Sequence, residues 1–337
     1  MSTTPNQFGP EAVGTGSPRG SQICLNRILV PIDFSPESSL GGRFAAEVAR
    51  RFHSHLHWLH VVEPPDLPEW GYVHLALREN HLRQTAQARL PLFPAECGVD
   101  PHLSVTTSLR SGEAGTQICQ EAADTGCDLI VMASHGLGGW SHLLGGSTTL
   151  RVVRHAPCPV LTVRERALAP ASGAPAHVGR EFKRIIVTTD FSEASQKALP
   201  YAVALAHRFE ASLTLLFIVP EIVPNEFAPT AAGREEERLM ADARERLPRL
   251  REAVLDPRLV VNTVVLQGSP AAEICRTAEL QNSDLIVMST HGRSGPAHFI
   301  LGSVTENVVR HAPCPVLVVR EREREFIQPS PTGRPNP

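Results

Sequence analysis

Along the chain, short unbroken apolar runs alternate with longer stretches in which apolar residues recur every three or four positions. In the first half Ile28–Ile32, Leu56–Val62, Leu103–Leu109, Leu129–Met132 and Val160–Val163 read as strands. Glu37–Phe52, Leu75–Ala95, Thr116–Asp124 and Ser147–His155 read as helices. Strands built from continuous Val, Ile and Leu are those buried on both faces. The regular strand-helix alternation therefore predicts a parallel sheet covered by helices on each side. Pro91 inside the second helical stretch, and Pro248 in its counterpart, predict a kink or an early stop.

The pattern is written twice. Cys127 to Arg164 and Ser283 to Arg320 align without a gap and are identical at roughly two thirds of their positions, the density expected of a duplicated unit. Arg27-Ile-Leu-Val-Pro-Ile-Asp33-Phe-Ser35 is answered by Arg184-Ile-Ile-Val-Thr-Thr-Asp190-Phe-Ser192. Two domains are expected at 24–166 and 182–322. The Ala/Pro/Ser/Gly-rich stretch 167–181 is the expected linker, and 1–23 and 323–337 are expected to be disordered tails. The final strands, Val160–Val163 and Val316–Val319, are short and apolar, and an exposed edge of that composition invites pairing.

Composition narrows the class. With 32 Lys+Arg against 35 Asp+Glu the net charge is −3, so no general pull toward nucleic acid or an anionic membrane is expected. No apolar run reaches the roughly 18 residues of a membrane span, and the first 23 residues lack a secretory pattern. Seven cysteines without a C-x-x-C pair argue against structural zinc or a disulfide framework and fit a reducing cytoplasm.

Candidate chemistry is read from the carboxyl ends of the strands, where open α/β sheets bind ligands. Neither a G-x-G-x-x-G fingerprint nor a Walker-type loop occurs. After the fourth strand comes Ala133-Ser-His-Gly136, nine residues, then Gly146-Ser147; the second copy has Ser289-Thr-His-Gly292, nine residues, then Gly302-Ser303. Small residues let backbone N–H groups approach an anion, and the helix that follows directs its free N–H groups at the same point. Ser147 and Ser303 read as helix N-caps and as hydroxyl donors to phosphate. A flexible glycine-rich connection with ordinary Ser caps is the plainer alternative, and Asp33 is readable as a cap of the next helix. Ser35 and Ser192 read as caps. His135 and His291 have no carboxylate at a recognisable spacing, so they read as positioning or packing residues ahead of acid–base groups, and no catalytic residue is assigned.

On these motifs the chain resembles a tandem universal stress protein, the resemblance covering about 290 residues. It carries the family's G-x2-G-x9-G-[S/T] signature in both halves, with Ala133 and Ser289 in place of the first glycine. The resemblance implies two tandem α/β domains, each a five-stranded parallel sheet with helices on both faces, adenine-nucleotide α-hydrolase-like in fold. It implies ATP, or ADP or AMP, accompanied by Mg2+, held in the first half by Asp33, Val61, Met132, Ala133, Gly136, Gly146, Ser147 and Thr148. In the second half the matching positions are Asp190, Ile218, Met288, Ser289, Gly292, Gly302, Ser303 and Val304. It further implies a cytoplasmic stress-response protein whose final strands meet in an intrachain pseudo-dimer, open to further homodimerisation, with an adenine nucleotide and a protein partner as its contacts. A slow ATPase or phosphotransferase and a nucleotide-free interaction protein are the competing readings. Thr188-Thr189 in place of Pro31-Ile32 makes the second pocket the more polar one, so the first site is expected to be the more secure.

One further feature stands apart. His53, His55 and His57 alternate, and on a strand they share one face, a spacing that can ligate a metal. No third ligand type lies nearby in sequence and His53 falls in a turn, so neutral imidazoles on an edge or helix-covered strand are expected and no metal is assigned. Trp70 and Tyr72 read either as a flap over the base or as an aromatic-packed surface loop.

Overall fold

The apolar strands lie side by side because both of their faces are buried: Ile28 and Val30 face one core, Leu29 the other, and all three are shielded from solvent. A computed structural model describes residues 21–63, 72–134, 147–164, 182–222, 229–254, 256, 258–290 and 301–329. The first half runs β1 (Ser21–Ile23), β2 (Arg27–Ile32), α1 (Pro36–Phe52), β3 (His55–Val62), α2 (Tyr72–Arg89), α3 (Phe93–Glu96), β4 (Val105–Ser111), α4 (Ala114–Asp124), β5 (Leu129–Ala133), α5 (Ser147–His155) and β6 (Val160–Val163). The second runs β7 (Arg184–Thr188), α6 (Glu193–Phe209), β8 (Ser212–Pro220), α7 (Pro229–Val254), β9 (Val261–Gly268), α8 (Pro270–Leu280), β10 (Leu285–Ser289), α9 (Ser303–His311), β11 (Val316–Val319) and β12 (Ile327–Pro329). The helix expected over Leu75–Ala95 stops at Arg89, two residues before Pro91, and resumes as the short α3. Pro248, by contrast, lies inside α7, which continues to Val254.

Ten strands form one continuous sheet in the order β4-β3-β2-β5-β6-β11-β10-β7-β8-β9. Pairing is parallel within each half and antiparallel at the centre, where Val316 faces Thr162, Leu317 faces Leu161 and Val318 faces Val160. The register is symmetric about Leu161 and Leu317, so the pseudo-two-fold axis passes through that pair. The two final strands meet as their composition predicts. The repeated Asp-Leu-Ile-Val-Met segment helps to fix each half's register: Asp128 Oδ2 accepts from the backbone N–H of Asn26 and Arg27, and Asp284 Oδ2 from that of Lys183 and Arg184.

Helices α1, α3, α6 and α7 pack on one face of the sheet, α4, α5, α8 and α9 on the other. The central core on the first face lies between the halves, where Leu25, Leu129, Leu161, Phe182, Leu205, Leu285, Leu317 and Phe326 converge. On that face the halves use complementary volumes. Trp58 is fully buried, and a Cβ on Gly42 would come within 2.4 Å of its ring. The equivalent positions of the second half hold Leu215 and Leu199.

The ends of the described chain correct the expected tails. β1 and β12 pair antiparallel, Ser21 opposite Pro329 and Ile23 opposite Ile327, and both isoleucines pack against the core beside the buried Phe326. The segment from Arg320 to β12 acts as a strap. Arg320 Nη1 donates to Ala156 O, Arg324 N to Pro157 O at 2.7 Å and Arg324 Nη1 to Gly126 O at 2.6 Å, all in the first half. Lys197 of α6 holds it from the other side, through Glu321 O at 2.5 Å and the Glu325 carboxylate at 2.9 Å. Between these anchors the two carboxyl oxygens of Glu323 are shut off from solvent, with no hydrogen-bond partner among the described residues.

All seven cysteines are free. Burial raises the thiol pKa of Cys97, Cys127, Cys158 and Cys314, and pushes Cys119 and Cys275 up to about 11. A rise of about two units leaves roughly 100-fold less thiolate at neutral pH. Thiol-specific labelling of the native chain should therefore modify Cys119 and Cys275 far more slowly than labelling in urea; equal rates would contradict this packing.

Candidate functional site

In each half the strand order reverses beside the first long strand. β2 is flanked by β3 and β5, and β7 by β8 and β10. Asp33 and Asp190 follow the carboxyl ends of these strands, at the crevice where such sheets bind ligands. Ile32 is in register with His60, which places Val61 at the neighbouring strand end, and Ala133 closes β5 on the other side.

The Asp-Phe-Ser turn is built alike twice. Asp33 Oδ1 accepts from Ser35 N at 3.0 Å, and Asp190 Oδ1 accepts from Ser192 N at 3.0 Å and Ser192 Oγ at 2.6 Å. Ser35 and Ser192 then cap α1 and α6 by accepting from the N–H groups of Ser38 and Ser195. Asp33 is thus the head of an Asx turn, not the cap of the helix. Between Asp and Ser, Phe34 and Phe191 adopt φ of +63° and +62°. A bulky residue in the left-handed region is strained by about 1–2 kcal/mol, and strain of this kind concentrates at functional sites. In the second half Thr189 Oγ1 accepts from Phe191 N at 3.0 Å and pairs with Ser195 Oγ at 3.2 Å. Of the two additional hydroxyls expected to make that pocket polar, that of Thr189 is engaged inside the turn.

Opposite the turn, α9 starts at Ser303, and its N-cap is Gly302, with no side-chain cap. The serine expected as cap is instead the first helical residue, as Ser147 is in α5. Gly302 N donates to Thr290 O at 3.0 Å, and Thr305 Oγ1 donates to Ser289 O at 2.9 Å, which ties the first turn of α9 to the end of β10. Among the described residues the N-cap of α9 makes no side-chain bond, and the first-turn N–H groups carry the positive end of the helix dipole. In the first half, the buried Ser134 hydroxyl lacks a hydrogen-bond partner among the described residues. A buried hydroxyl in that condition fits a polar ligand atom. Ser134 was not singled out from the sequence; its signal is a hydroxyl residue after the fourth strand in both copies, Ser134 and Thr290.

The other positions divide by burial. Met132, Met288 and Ile218 are buried in the α4/α5 or α8/α9 core and Val61 packs against it, so their side chains are turned into the core and not offered to the crevice. Asp33 is exposed, as is Ser303; Asp190, Ala133, Thr148, Gly302 and Val304 are half-buried and Ser289 is buried. Gly136, Gly146 and Gly292, with His135, His291 and Trp70, lie outside the described residues, as does the side chain of Tyr72.

The alternating histidines have a structural explanation. His53 ends α1 in the left-handed region. His55 bonds Ser104 and Thr106 through its two ring nitrogens, each at 2.7 Å. His57, buried, bonds Thr106 at 2.8 Å through Nδ1, and through Nε2 reaches Glu121 at 2.6 Å and Ser108 at 3.0 Å. Burial opposes ionisation of Glu121, but bonds from Ser108, His57 and Arg110 outweigh it and hold the carboxyl below its ordinary range. Among the described residues no group of three His, Cys, Asp or Glu is arranged to hold a metal ion. The second half replaces this network with Thr214, Val264, Leu266 and Thr277.

A doubly wound α/β unit, present twice and joined edge to edge, with an Asp-headed turn at the strand-order reversal of each half, defines the class. The family model described as the Universal stress protein family matches residues 25–164 and again 181–320. The chain belongs to that family. A universal stress protein of Mycolicibacterium smegmatis is 30% identical over 306 residues, which cover 88% of this chain and 97% of that one. Universal stress protein MJ0531 of Methanocaldococcus jannaschii is 34% identical over 146 residues, covering 43% of this chain and 85% of the relative. The crystal structure of a universal stress protein from Archaeoglobus fulgidus shares the fold, with a TM-score of 0.58 at 20% identity, covering 90% of this chain and 99% of that one. No described helix is long and apolar enough to cross a membrane.

Proposed function

We propose that each half binds one adenine nucleotide, ATP with Mg2+ or its ADP and AMP products, and that the chain acts in the cytoplasm as a nucleotide-responsive binding module. The observation that supports this most directly is the repeated juxtaposition at the strand-order reversal. An aspartate held in an Asx turn, suited to ribose hydroxyls, follows β2 and β7, and beside β7 the start of α9, suited to phosphate, is tied to the end of β10. Binding is placed ahead of turnover because a binding site needs only these donors and acceptors. Hydrolysis needs in addition a positioned water and a charge-stabilising group at the γ-phosphate.

The test is isothermal titration of stripped protein with ATP, with mass spectrometry of whatever nucleotide copurifies. Two sites per chain are expected. Gly302 has φ of −60°, so valine is tolerated by its backbone there, and Gly302→Val acts through the branched side chain it places beside the phosphates. That variant should lose one site and keep the other. Ligand at about 100 times its dissociation constant stabilises its site by about 2.7 kcal/mol, and the variant should lose that thermal shift in the second half alone. An unliganded preparation showing no ATP heat would favour a nucleotide-free interaction protein.

A further inference from the structure

We propose that Arg89 and Arg246 are positioning residues, whose guanidinium groups hold the Asp-Phe-Ser turns in the shape that presents Asp33 and Asp190 to a ribose. The proposal rests on the nucleotide reading above and adds a residue pair outside every motif that suggested it.

The second helical stretches share a triplet, Arg89-Leu90-Pro91 and Arg246-Leu247-Pro248. Leu90 and Leu247 are buried in the same face of the core, which fixes the depth of the preceding arginine. The Arg89 guanidinium carbon lies 4.8 Å from the Phe34 ring centroid, and that of Arg246 lies 4.5 Å from the Phe191 centroid. On these same phenylalanines the backbone is left-handed. Each ring is also held by a residue of the neighbouring strand: Phe34 meets His60 of β3 at 4.4 Å, and Phe191 stacks on Phe217 of β8 at 4.9 Å. Phe34 further meets Phe93 edge-on at 5.1 Å.

The duplicated arrangement survives large local differences. α2 ends at Arg89, whereas α7 carries Arg246 in its interior, and the ring partner on the neighbouring strand changes from histidine to phenylalanine. The ion pairs of the two arginines also differ, with Glu96 at 3.6 Å and Asp242 at 3.3 Å, both solvent-exposed and weak. What recurs is a cation over the face of a left-handed phenylalanine next to the site aspartate. A left-handed Phe is unfavourable unless its ring is held, and the stacked guanidinium supplies one of the contacts that hold it. When the ring is released, the backbone at Phe34 moves toward its ordinary conformations. The Asp33 carboxylate, bonded to Ser35 N on the other side of Phe34, then loses its aim.

The test compares Arg89→Met, which keeps the apolar stem, with Arg89→Lys, which keeps the cation, in the full chain; Arg246→Met serves as the mirror case. Titrated with ATP, Arg89→Met should weaken one of the two sites about tenfold and Arg89→Lys should recover most of that loss. With 2′,3′-dideoxy-ATP, which lacks both ribose hydroxyls, Arg89→Met should match the wild type, because the aspartate has nothing left to hold. Equal losses for both nucleotides would make the arginine merely structural and overturn the proposal, as would no loss for either. Hydrogen exchange in the nucleotide-free chain separates this failure from that of the functional reading. Arg89→Met should speed exchange at Ser35 and Ser38 while β3 and β5 stay protected, and unchanged exchange there overturns the proposal even if ATP binds. A wild type that binds no ATP, with exchange faster in the variant, overturns the nucleotide reading and leaves the hold of Arg89 on the turn standing.

Discussion

Trp58→Ala should lower the unfolding free energy of the first half by about 3–5 kcal/mol, the range for removing a fully buried aromatic side chain. Trp58 is inaccessible to solvent, stands edge-on to Phe93 at 6.0 Å and fills the space left by Gly42 on α1. Its indole N–H has no hydrogen-bond partner among the described residues, so the loss is one of packing volume and not of a polar contact. The same geometry fixes the sign of a second change. Gly42→Ala brings a methyl group within 2.4 Å of the ring and should be destabilising alone by about 1–3 kcal/mol through overpacking. In the Trp58→Ala background that methyl enters the cavity, so the double variant should be more stable than the sum of the single losses. Urea unfolding of the four proteins in a double-mutant cycle measures the coupling. Additive losses would mean that Trp58 and Gly42 do not share the site.

Raising the pH from 5 to 9 should loosen the C-terminal strap of the wild type but not of Glu323→Gln. Burial pushes the Glu323 carboxyl up to about 8, against the pull of Arg320 and Lys197. The negative charge of Glu325 adds to the rise, and Tyr201 of α6, kept neutral by burial, also faces the carboxyl. Below the ordinary carboxylate pKa the group is neutral whether the strap is docked or released. As pH rises above that value, the released form ionises while the docked form keeps its proton. Stability therefore falls by up to about 1.4 kcal/mol per pH unit until the docked group itself ionises near pH 8. The whole effect has an upper bound of about 5 kcal/mol. Glutamine keeps the shape without the charge, so the difference between the two stability profiles should grow across this window and level off above it. Exchange at Arg324 N, bonded to Pro157 O, reports strap release directly. Parallel profiles for the two proteins would refute the account.

The parallel sheet was legible because its strands are written as unbroken runs such as Leu129-Ile-Val-Met132, which no other environment accommodates so well. Their pairing at the seam was legible for the same reason. The ribbon of β1 and β12 was not: Ser-Gln-Ile and Ile-Gln-Pro are too short to show a period, and they meet across about 300 residues of chain. Pro91 marked the end of α2 correctly, whereas the identical Leu-Pro pair at Pro248 lies within a helix whose packing through Leu247 and Val254 outweighs the lost hydrogen bond. At the candidate site the aspartates and the Gly-Ser helix starts were visible as repeats. The left-handed Phe34 and Phe191 were not, since nothing in a phenylalanine signals positive φ; the conformation follows from what grips the ring. The His57–Glu121–Arg110 network was equally hidden, because its members come from three elements that only the fold assembles.

The antiparallel seam also determines how the molecule meets the rest of its surroundings. Strands of the first half point one way along the sheet and those of the second the other, so the carboxyl ends bearing Asp33 and Asp190 open on opposite rims. Between β2 and β7 lie five strand spacings, about 24 Å, before the strand length is added. No small ligand spans both crevices. Because one chain carries both, the two crevices stay at a one-to-one ratio and a fixed separation however dilute the protein becomes.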